Sequence, residues 1–438
     1  MPRGDAVQEW RVQEWPAEER CAHERHEVIF YGWRIVAAAF VVLFTAYGAQ
    51  YCFGVFFAAL LDEFRWSRAG VSGVFSLYAF GYCVVGFPAG RLTDRWGPRA
   101  VVTAGAVLLG SALAAMALVR HLWQPYVIYG IVGALGMGTA YVPCHSTVVK
   151  WFARRRGLAI GVASTGASLG TFALPPLAQR LVTVAGWRAA YVVFGVGVLT
   201  ALALAATVMR RDPRSMGLRP DGDDELARAD DAPVLPAWPL RLALRERAFW
   251  LIGAAFTATW LAVFIPLVHL VPFARDLGYD AATGAWLLSA LGAGAVGGRL
   301  VMGAVSDLIG RRPTIMMAMA AQAVAFVAFA TVHGLAALAT TAVAFGFAYG
   351  TISALFPAIV GDFFGPEQAG SLVGFLFALG GSLAAWGPLV AGLVYDTTGG
   401  YGVIFRASAG ANLLAALLIG IATPPNRKLK PLGRRLKC

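Results

Sequence analysis

Long apolar runs alternate along the chain with short polar clusters. Residues 35–61 and 101–119 are two of these runs, and each is long enough to cross a bilayer as a helix, which takes roughly 20 residues. The runs are continuous and rich in Ala, Leu, Val and Gly, whereas the strands of a transmembrane β-barrel would alternate between apolar and polar residues. The pattern therefore predicts an all-α membrane protein.

Twelve such segments can be delimited in the sequence. They lie at residues 34–60, 70–90, 100–119, 126–149, 157–180, 188–209, 248–273, 282–305, 313–332, 334–360, 369–393 and 402–423. Composition agrees with this prediction, because 58% of the 438 residues are apolar and 14% are charged, against roughly 45–50% and 25% in ordinary soluble domains. These values exclude a soluble enzyme.

Positive charges are divided unequally between the two sides of the predicted spans. Of the 36 lysines and arginines, 27 lie in the two tails and in the connections on the same side as the tails. Loops rich in Lys and Arg stay in the cytoplasm, so we expect a multi-pass plasma-membrane protein with both termini cytoplasmic. The net charge of +12 then reflects orientation in the bilayer, and no nucleic-acid partner is expected.

Features typical of enzymes are not recognisable in the sequence. The five cysteines have neither paired nor metal-ligand spacing. No nucleophile–base pair and no phosphate-binding loop can be identified. We therefore expect no metal site, no cofactor and no enzymatic activity.

The sequence contains an internal repeat. Gly90 and Asp94 recur as Gly303 and Asp307, at an offset of 213 residues. Each copy holds six spans, so both enter the membrane from the same side, as in secondary transporters whose substrate site lies between two parallel halves. The predicted organisation is a cytoplasmic N-terminal tail (1–33), a six-helix bundle (34–209), a cytoplasmic linker (210–247), a second six-helix bundle (248–423) and a basic cytoplasmic C-terminal tail (424–438).

Both copies carry a pattern of glycine, aspartate and arginine after their second span. The first reads Gly-Arg-Leu-Thr-Asp-Arg-Trp-Gly-Pro-Arg at 90–99, and the second reads Gly-Ala-Val-Ser-Asp-Leu-Ile-Gly-Arg-Arg at 303–312. The pattern resembles the cytoplasmic loop signature of the major facilitator superfamily, which implies that superfamily's fold for nearly the whole chain. The residues expected to form a cytoplasmic gate are Gly90, Asp94, Arg95, Arg99, Gly303, Asp307, Arg311 and Arg312.

The two aspartates are at the centre of this expected gate. Asp94 or Asp307 can cap a neighbouring helix N-terminus or pair with an arginine of the other half. Such a latch would favour the outward-facing state. The second copy has Leu308 where the first has Arg95, so its charge network is expected to be thinner.

Arg299 is the most deeply embedded charged residue of the predicted spans. It lies eight residues before Asp307, which is about 12 Å along a helix at roughly 1.5 Å per residue. An unpaired guanidinium at this depth marks a substrate or ion pathway, and its planar fork suits a carboxylate. The repeat has Gly86 at the equivalent position, and no predicted span contains an Asp or Glu for a buried salt bridge. Arg299 is therefore the candidate anion-binding residue.

Two further segments narrow the resemblance. Tyr-Gly-Trp at 31–33 opens the first span, and residues 150–166 enter the fifth. Both are similar to signatures of the monocarboxylate transporter family and of its oxalate/formate antiporter relatives. In the monocarboxylate transporters an Arg-x-x-x-Gly sequence of the eighth span binds substrate, which implies this role for Arg299.

The chain departs from that family's pattern at charged positions. Tyr51 stands in place of a lysine of the first span, and Ala295 stands in place of an aspartate one turn before Arg299. The family's proton relay is therefore not carried over. A lysine in span eleven of the oxalate antiporters has no counterpart in residues 369–393, and one embedded positive charge suits a monoanion better than a dianion.

Polar side chains at a similar depth are candidates to line the site. Tyr141 and His145 lie four residues apart on one face of the fourth span, and Tyr51 and Tyr349 lie in the first and tenth spans. Each can form a hydrogen bond with a carboxylate or hydroxyl group, and each could equally be a packed ring. His269, near the outer end of the seventh span, is either part of a gate or a structural residue.

These features predict a secondary active transporter of a small monocarboxylate, such as lactate or pyruvate, which works by alternating access in the lipid bilayer. Because no predicted span contains a carboxylate, a coupled proton would have to sit on the substrate or on a histidine such as His145 or His269. We expect symport with protons. The alternatives are an organic-anion antiporter of the oxalate/formate type and a membrane receptor or scaffold without transport.

Overall fold

A computed structural model describes residues 30–152, 155–220, 239–365 and 369–425. Most of both predicted tails and the middle of the predicted linker lie outside these ranges, so the predicted domain boundaries stay predictions. Within the described ranges the chain is almost entirely helical.

The described helices account for twelve crossings of a membrane. Eleven stretches are long and apolar enough to cross, and one of them consists of two helices in succession. In chain order the helices are α1 (Tyr31–Tyr51 and Phe53–Phe64), α2 (Arg68–Trp96), α3 (Pro98–Ala115, continued by Met116–Leu118), α4 (Trp123–Pro125, the π-helix Tyr126–Gly133, Ala134–Met137 and Tyr141–Trp151), α5 and α6 (together Arg156–Val208), α7 (Arg247–Asp276), α8 (Ala281–Ile309), α9 (Arg311–Thr331), α10 (Leu335–Phe364), α11 (Ala369–Ala384 and Gly387–Thr398) and α12 (Gly402–Ile421). Two short helices, Pro213–Met216 and Leu240–Ala243, lie between α6 and α7.

α5 and α6 meet at a single glycine. Their combined 53 residues would make a straight helix of about 80 Å at about 1.5 Å per residue, more than twice the roughly 30 Å of a bilayer core. Gly186 interrupts this stretch with φ 80° and ψ 160°, a conformation that glycine reaches because it has no Cβ. The chain turns back at Gly186, which brings the count to the predicted twelve spans.

Two helices beside the candidate site are interrupted within the membrane. α1 has a turn at Cys52, directly after Tyr51, and the last segment of α4 begins at Tyr141 after an eight-residue π-helix and a turn. Irregular backbone at membrane depth is tolerated where it is buried in protein or lines a cavity. Two of the three predicted site tyrosines, Tyr51 and Tyr141, thus lie at a break in their helix.

The two halves use the same helix pairings. In the first half α1 contacts α5, α2 contacts α4 and α3 contacts α6; in the second half α7 contacts α11, α8 contacts α10 and α9 contacts α12. The correspondence extends to single residues, because Gly138 lies against the backbone oxygen of Tyr82 and Gly350 against that of Ala295. These positions differ by 212 and 213 residues, so the repeat in the sequence is also a repeat in the structure.

The halves meet through α1, α2 and α5 on one side and α7, α8 and α11 on the other. Gly292 of α8 lies so close to α5 that a Cβ would collide with the backbone of Phe172. Below, the membrane side at which α1 begins and α12 ends is called the terminal side, and the opposite one is called the far side. The candidate site lies on the interface between the halves, between these two sides.

Candidate functional site

Arg299 of α8 connects the two halves. Its Nη1 donates to the backbone oxygen of Ser164 on α5 at 2.8 Å, and its Nε donates to the Oγ of Ser353 on α10 at 3.2 Å. The side chain is half-buried, and within the described residues no carboxylate lies at ion-pair distance from it. The guanidinium is therefore held by neutral acceptors, so a carboxylate could compete for it with a stronger, charge-assisted hydrogen bond.

A glycine contact between α8 and α10 fixes the position of Arg299. At the neighbouring Gly298 a Cβ would collide with the backbone oxygen of Phe347 on α10. Gly294, Gly346 and Gly350 make equally close approaches along the same two helices. Helix backbones approach closely in membranes where small residues line the contact. This packing brings Arg299 within reach of Ser353.

His145 of α4 adjoins the arginine through Ser164. Its Nδ1 lies 2.9 Å from the backbone oxygen of Tyr141, and its Nε2 lies 2.9 Å from the Oγ of Ser164. A carbonyl oxygen can only accept, so Nδ1 carries a hydrogen and donates it. In the neutral ring Nε2 is then the acceptor, and the hydroxyl of Ser164 donates to it. Ser164 thus binds the histidine with its side chain and Arg299 with its backbone.

The three predicted tyrosines, Tyr51, Tyr141 and Tyr349, lie close to one another near Arg299. Arg299 is close enough to interact electrostatically with Tyr51 and Tyr141, and both of these tyrosines are close to Tyr349. The ring of Tyr141 lies 4.1 Å from the ring of His145, measured between centroids. The structure therefore brings together all five residues that were predicted to bind substrate.

Several residues of the site were not predicted from the sequence. Ser164 and Ser353 hold Arg299. Phe377 of α11 stacks on Tyr141 at 5.5 Å between ring centroids, and Trp260 of α7 packs against both Phe377 and Tyr349. Tyr47, one turn before Tyr51, completes this aromatic wall. The site combines one cation with a largely aromatic lining, which suits a small anion with an apolar body.

Arg68 joins the halves on the far side. It begins α2, and its Nη2 lies 2.6 Å from Asp276 at the end of α7. Its Nη1 donates to the hydroxyl of Tyr401 at 2.7 Å, and its guanidinium lies 3.8 Å from the ring centroid of Tyr395. The carboxylate of Asp396 accepts from the backbone nitrogens at the start of α2. These contacts close the far side of the interface.

His269 extends this closure into the membrane. It is fully buried, its Nε2 lies 3.0 Å from the backbone oxygen of Pro388, and its Nδ1 lies 2.9 Å from the hydroxyl of Tyr401. The carbonyl of Pro388 fixes the hydrogen on Nε2, so Nδ1 accepts from Tyr401, which in turn accepts from Arg68. Both ring nitrogens of His269 are therefore occupied. The ring belongs to the same cluster of contacts as Arg68, Asp276 and Tyr401, which is called the far-side gate below.

A second ion pair between the halves lies on the same side. Arg275 of α7 contacts Asp62 at the end of α1 at 2.7 Å. By contrast, Arg188 and Glu63, at 2.6 Å, both belong to the first half. The far side thus contains ion pairs that join the two halves and an ion pair that lies within the first half.

The aspartates of the predicted terminal-side gate behave differently from expectation. Asp94 lies 2.6 Å from Lys150 at the end of α4, in its own half, and not beside an arginine of the other half. The side chain of Asp307 lies outside the described part of the structure. Arg311 pairs with Asp362 at 2.5 Å, again within one half. These two ion pairs tie helices together within each half, whereas the ion pairs of the described residues that join the halves lie on the far side.

The other residues of the two predicted gate motifs have differing surroundings. Arg312 donates to the backbone oxygens of Ile419 and Gly420 at the end of α12. Arg95 and Arg99 line a cavity of about 360 Å³ together with Arg210 and Arg211. A Cβ at Gly90 would press on Val142 of α4, whereas Gly303 has no such neighbour among the described residues.

The sequence model of the Major Facilitator Superfamily matches residues 39–301 and again 251–437. The chain belongs to this superfamily. Within the superfamily, the chain is 30% identical over 406 residues to monocarboxylate transporter 13 of Bos taurus, which covers 90% of this chain and 89% of the relative. It is also 30% identical over 412 residues to monocarboxylate transporter 11 of Homo sapiens, covering 90% and 83%.

Solved structures agree on the fold of this superfamily member. The crystal structure of a D-xylose-proton symporter superposes with a TM-score of 0.68 at 15% identity, over 90% of this chain and 98% of the symporter. The family model and the two relatives above, rather than this superposition, show that the protein is a multi-pass membrane transporter of the monocarboxylate transporter group, as predicted, and not an enzyme.

Proposed function

We propose that this transporter carries a small monocarboxylate together with a proton across the plasma membrane by alternating access, and that Arg299 binds the carboxylate. The observation that carries the proposal is the position of Arg299, which is half-buried between the halves and, among the described residues, is held by one carbonyl and one hydroxyl. The relatives named monocarboxylate transporters support the substrate class.

Binding would exchange one set of hydrogen bonds for another. A carboxylate offers two charged acceptors to the guanidinium fork, whereas Ser164 offers one neutral carbonyl. A bound substrate therefore takes Nη1 from Ser164 and weakens the connection between α8 and α5. This is a direct way for the substrate to change the contact between the halves, as alternating access requires.

Charge balance favours one proton for each anion. The empty carrier holds the positive charge of Arg299, and a bound monoanion neutralises it. A proton taken up with the anion restores one positive charge, so the loaded and empty carriers have the same charge and the cycle is electroneutral. Uniport of the anion would lack this balance.

The orientation follows from the distribution of positive charge. The terminal side carries most of the lysines and arginines, so it would face the cytoplasm. The closed far side would then be the outer gate, and this structure would represent an inward-facing state.

Replacement of Arg299 tests the site. We expect Arg299→Ala to weaken lactate binding by at least about tenfold, since charge-assisted hydrogen bonds contribute about 1.5–3 kcal/mol. Arg299→Lys should bind lactate nearly as weakly as Arg299→Ala, because an ammonium cannot reproduce the planar fork of the guanidinium. The measurement is the lactate-induced shift of the melting temperature of purified protein, followed by uptake into proteoliposomes. Arg406→Ala, which removes an exposed arginine of α12, is the matched control.

Two results would contradict the assignment of Arg299. One is an Arg299→Ala variant that binds lactate like the parent. The other is equal loss of affinity in Arg406→Ala. A panel of mono- and dicarboxylates tests the substrate class in the same assay, and preference for a dicarboxylate such as oxalate would favour the antiporter alternative.

The coupling is tested with a pH gradient. Proteoliposomes with valinomycin and equal potassium on both sides receive an inward proton gradient. Symport requires that lactate accumulates above its equilibrium concentration. Exchange that needs lactate preloaded inside and ignores the gradient would support an antiporter instead.

A further inference from the structure

The described helices offer two histidines within the membrane, His145 and His269. A proton symporter needs a group that gains and loses a proton during each cycle, and histidine is the side chain whose ordinary pKa suits this task near neutral pH. No carboxylate of the described residues lies beside Arg299. The two histidines are therefore the candidates to compare.

His269 is unsuited to the exchange of a proton in this conformation. It is fully buried, and both ring nitrogens are engaged with groups of the far-side gate. A second proton on Nδ1 would face the hydroxyl of Tyr401, which already accepts from the positively charged Arg68. A protonated His269 would thus lie close to the positive charge of Arg68. The carboxylate of the substrate, which would bind at Arg299, would not be there to offset the added charge.

His145, unlike His269, can take up a proton in this conformation. It is half-buried rather than sealed, and its Nδ1–H is committed to the carbonyl of Tyr141. The only open proton site is Nε2, which faces the hydroxyl of Ser164. A hydroxyl can both donate and accept, so Ser164 can donate to the neutral ring and accept from the protonated one. Protonation therefore requires the rotation of one hydroxyl and breaks no hydrogen bond of the ring.

The surroundings of His145 make its proton depend on the substrate. The charged group that acts on the ring is Arg299 of α8. Among the described residues, the uncharged Tyr141 lies against the ring of His145. Tyr47 and Tyr349 lie near Tyr141, and Tyr51 lies near Tyr349. In the empty carrier Arg299 repels a proton on His145. A carboxylate bound to Arg299 cancels that repulsion, and a proton on His145 in turn strengthens the binding of the anion.

We propose that His145 is the residue that binds the coupled proton, and that Ser164 connects it to the carboxylate site at Arg299. The assignment rests on the proposed proton symport. On the side of higher acidity the anion binds Arg299, a proton binds Nε2 of His145, and the ring donates to Ser164. On the other side the proton leaves Nε2, Arg299 loses its anion and returns to the carbonyl of Ser164.

The test compares exchange with accumulation of radiolabelled lactate in proteoliposomes. We expect His145→Gln to lose accumulation under an inward proton gradient, with a ratio of inside to outside lactate that falls to one, while exchange of lactate remains measurable. Its lactate affinity should be constant between pH 5.5 and 8. The parent should bind lactate more tightly as the pH falls, by up to about tenfold per pH unit, the limit for one coupled proton.

Two further variants separate the role of the proton from general damage. His333→Gln, in the connection between α9 and α10, should accumulate lactate like the parent. Ser164→Ala removes the hydroxyl but keeps the backbone oxygen that binds Arg299. It should therefore accumulate less lactate than the parent under the same proton gradient.

The remaining outcomes distinguish a wrong assignment of His145 from a wrong proposal of proton symport. A His145→Gln variant that accumulates lactate like the parent overturns the assignment of His145 and leaves symport intact. Loss of lactate binding at every pH makes His145 a substrate ligand and also overturns the assignment. A parent that exchanges lactate but never accumulates it overturns the symport proposal, and the assignment with it.

Discussion

At the scale of single residues, Arg299 is unusual because it is held by groups that cannot neutralise it. The carbonyl of Ser164 and the hydroxyl of Ser353 satisfy two of its donors, which reduces the cost of placing a guanidinium in the membrane. Neither acceptor is charged. The arginine is thus ordered before substrate arrives and remains attractive to an anion.

Ser353 offers a test of this ordering. Its hydroxyl donates to the backbone oxygen of Gly350, which orients the oxygen that accepts from Arg299. We expect Ser353→Ala to weaken lactate binding by about two- to tenfold, since one hydrogen bond contributes about 0.5–1.5 kcal/mol. The measurement is a lactate titration of purified protein.

Ser382→Ala is the control for Ser353→Ala, because the hydroxyl of Ser382 is bonded within its own helix, to Ala378. Its lactate affinity should equal that of the parent. If both variants bind lactate like the parent, the hydroxyl of Ser353 does not orient Arg299 for substrate.

The charged and aromatic residues of the candidate site could be named from the sequence, whereas its serines could not, and a role of any of them in substrate binding stays a prediction. A lone arginine far from a span end is conspicuous, and polar rings at the same depth can be found from it. Ser164 and Ser353 carry no such signal, because small hydroxyl residues are frequent in membrane helices and bond their own backbone. Their contact with Arg299 depends on how α5, α8 and α10 are placed, which spacing along the chain does not reveal.

At the scale of helices, glycine decides how closely α8 and α10 pack. Gly298 and Gly297 are neighbours in sequence but face different surroundings. A Cβ at Gly298 would collide with the backbone of Phe347, whereas one at Gly297 would lie 3.6 Å from the ring of Phe347. The first position therefore has no room for a methyl group, and the second makes an ordinary contact.

This difference predicts that substitution by alanine affects stability differently at the two glycines. We expect Gly298→Ala to lower the melting temperature clearly, because overpacking costs about 1–3 kcal/mol, and to weaken lactate binding by moving Arg299 away from Ser353. Gly297→Ala should be neutral or slightly stabilising, since alanine favours the helix. Thermal unfolding of both purified variants decides the matter, and equal melting temperatures would contradict the described packing.

The apolar pattern predicted the number and order of the helices but not their ends or interruptions. α1 begins at Tyr31 and α8 ends at Ile309, several residues beyond the predicted spans. Hydropathy reports the part of a helix in the lipid core, and these helices continue past it. The π-helix of α4 and the turn at Cys52 leave no mark in apolar content, because their residues are as apolar as the rest.

At the scale of the whole molecule, the ion pairs that join the halves identify which side is closed. Arg68 and Arg275 join the halves on the far side, and Asp94 and Arg311 pair within their own halves on the terminal side. The sequence predicted the duplication, and the gating role of the two glycine- and aspartate-containing motifs stays a prediction. The sequence could not tell which side is closed in one conformation, since the same charges pair differently as the halves move.

Removal of Arg68 should open the far side. Arg68→Gln loses the contacts with Asp276 and Tyr401, while the backbone contacts with Asp396 remain. We expect a cysteine placed at Ser72, which is fully buried against Gly392, to react at least about fivefold faster with a soluble maleimide. The other cysteines are replaced by alanine for this measurement.

Arg188→Gln is the matched control for the gate. It removes a far-side arginine whose partner, Glu63, is in the same half, so labelling at position 72 should not change. Equal acceleration in both variants would mean that general loosening, and not the contact between the halves, exposes Ser72.

The absence of a carboxylate beside Arg299, among the residues that the structure describes, has an electrical consequence. If one proton accompanies each lactate, as proposed above, the loaded site carries the same single positive charge as the empty site, and complete turnovers should produce no steady current. Each half of the cycle nevertheless moves a charged site through the membrane field, which is worth about 2.3 kcal/mol per charge at 100 mV. A sudden jump in lactate concentration should therefore evoke a brief capacitive current that decays to zero while uptake continues.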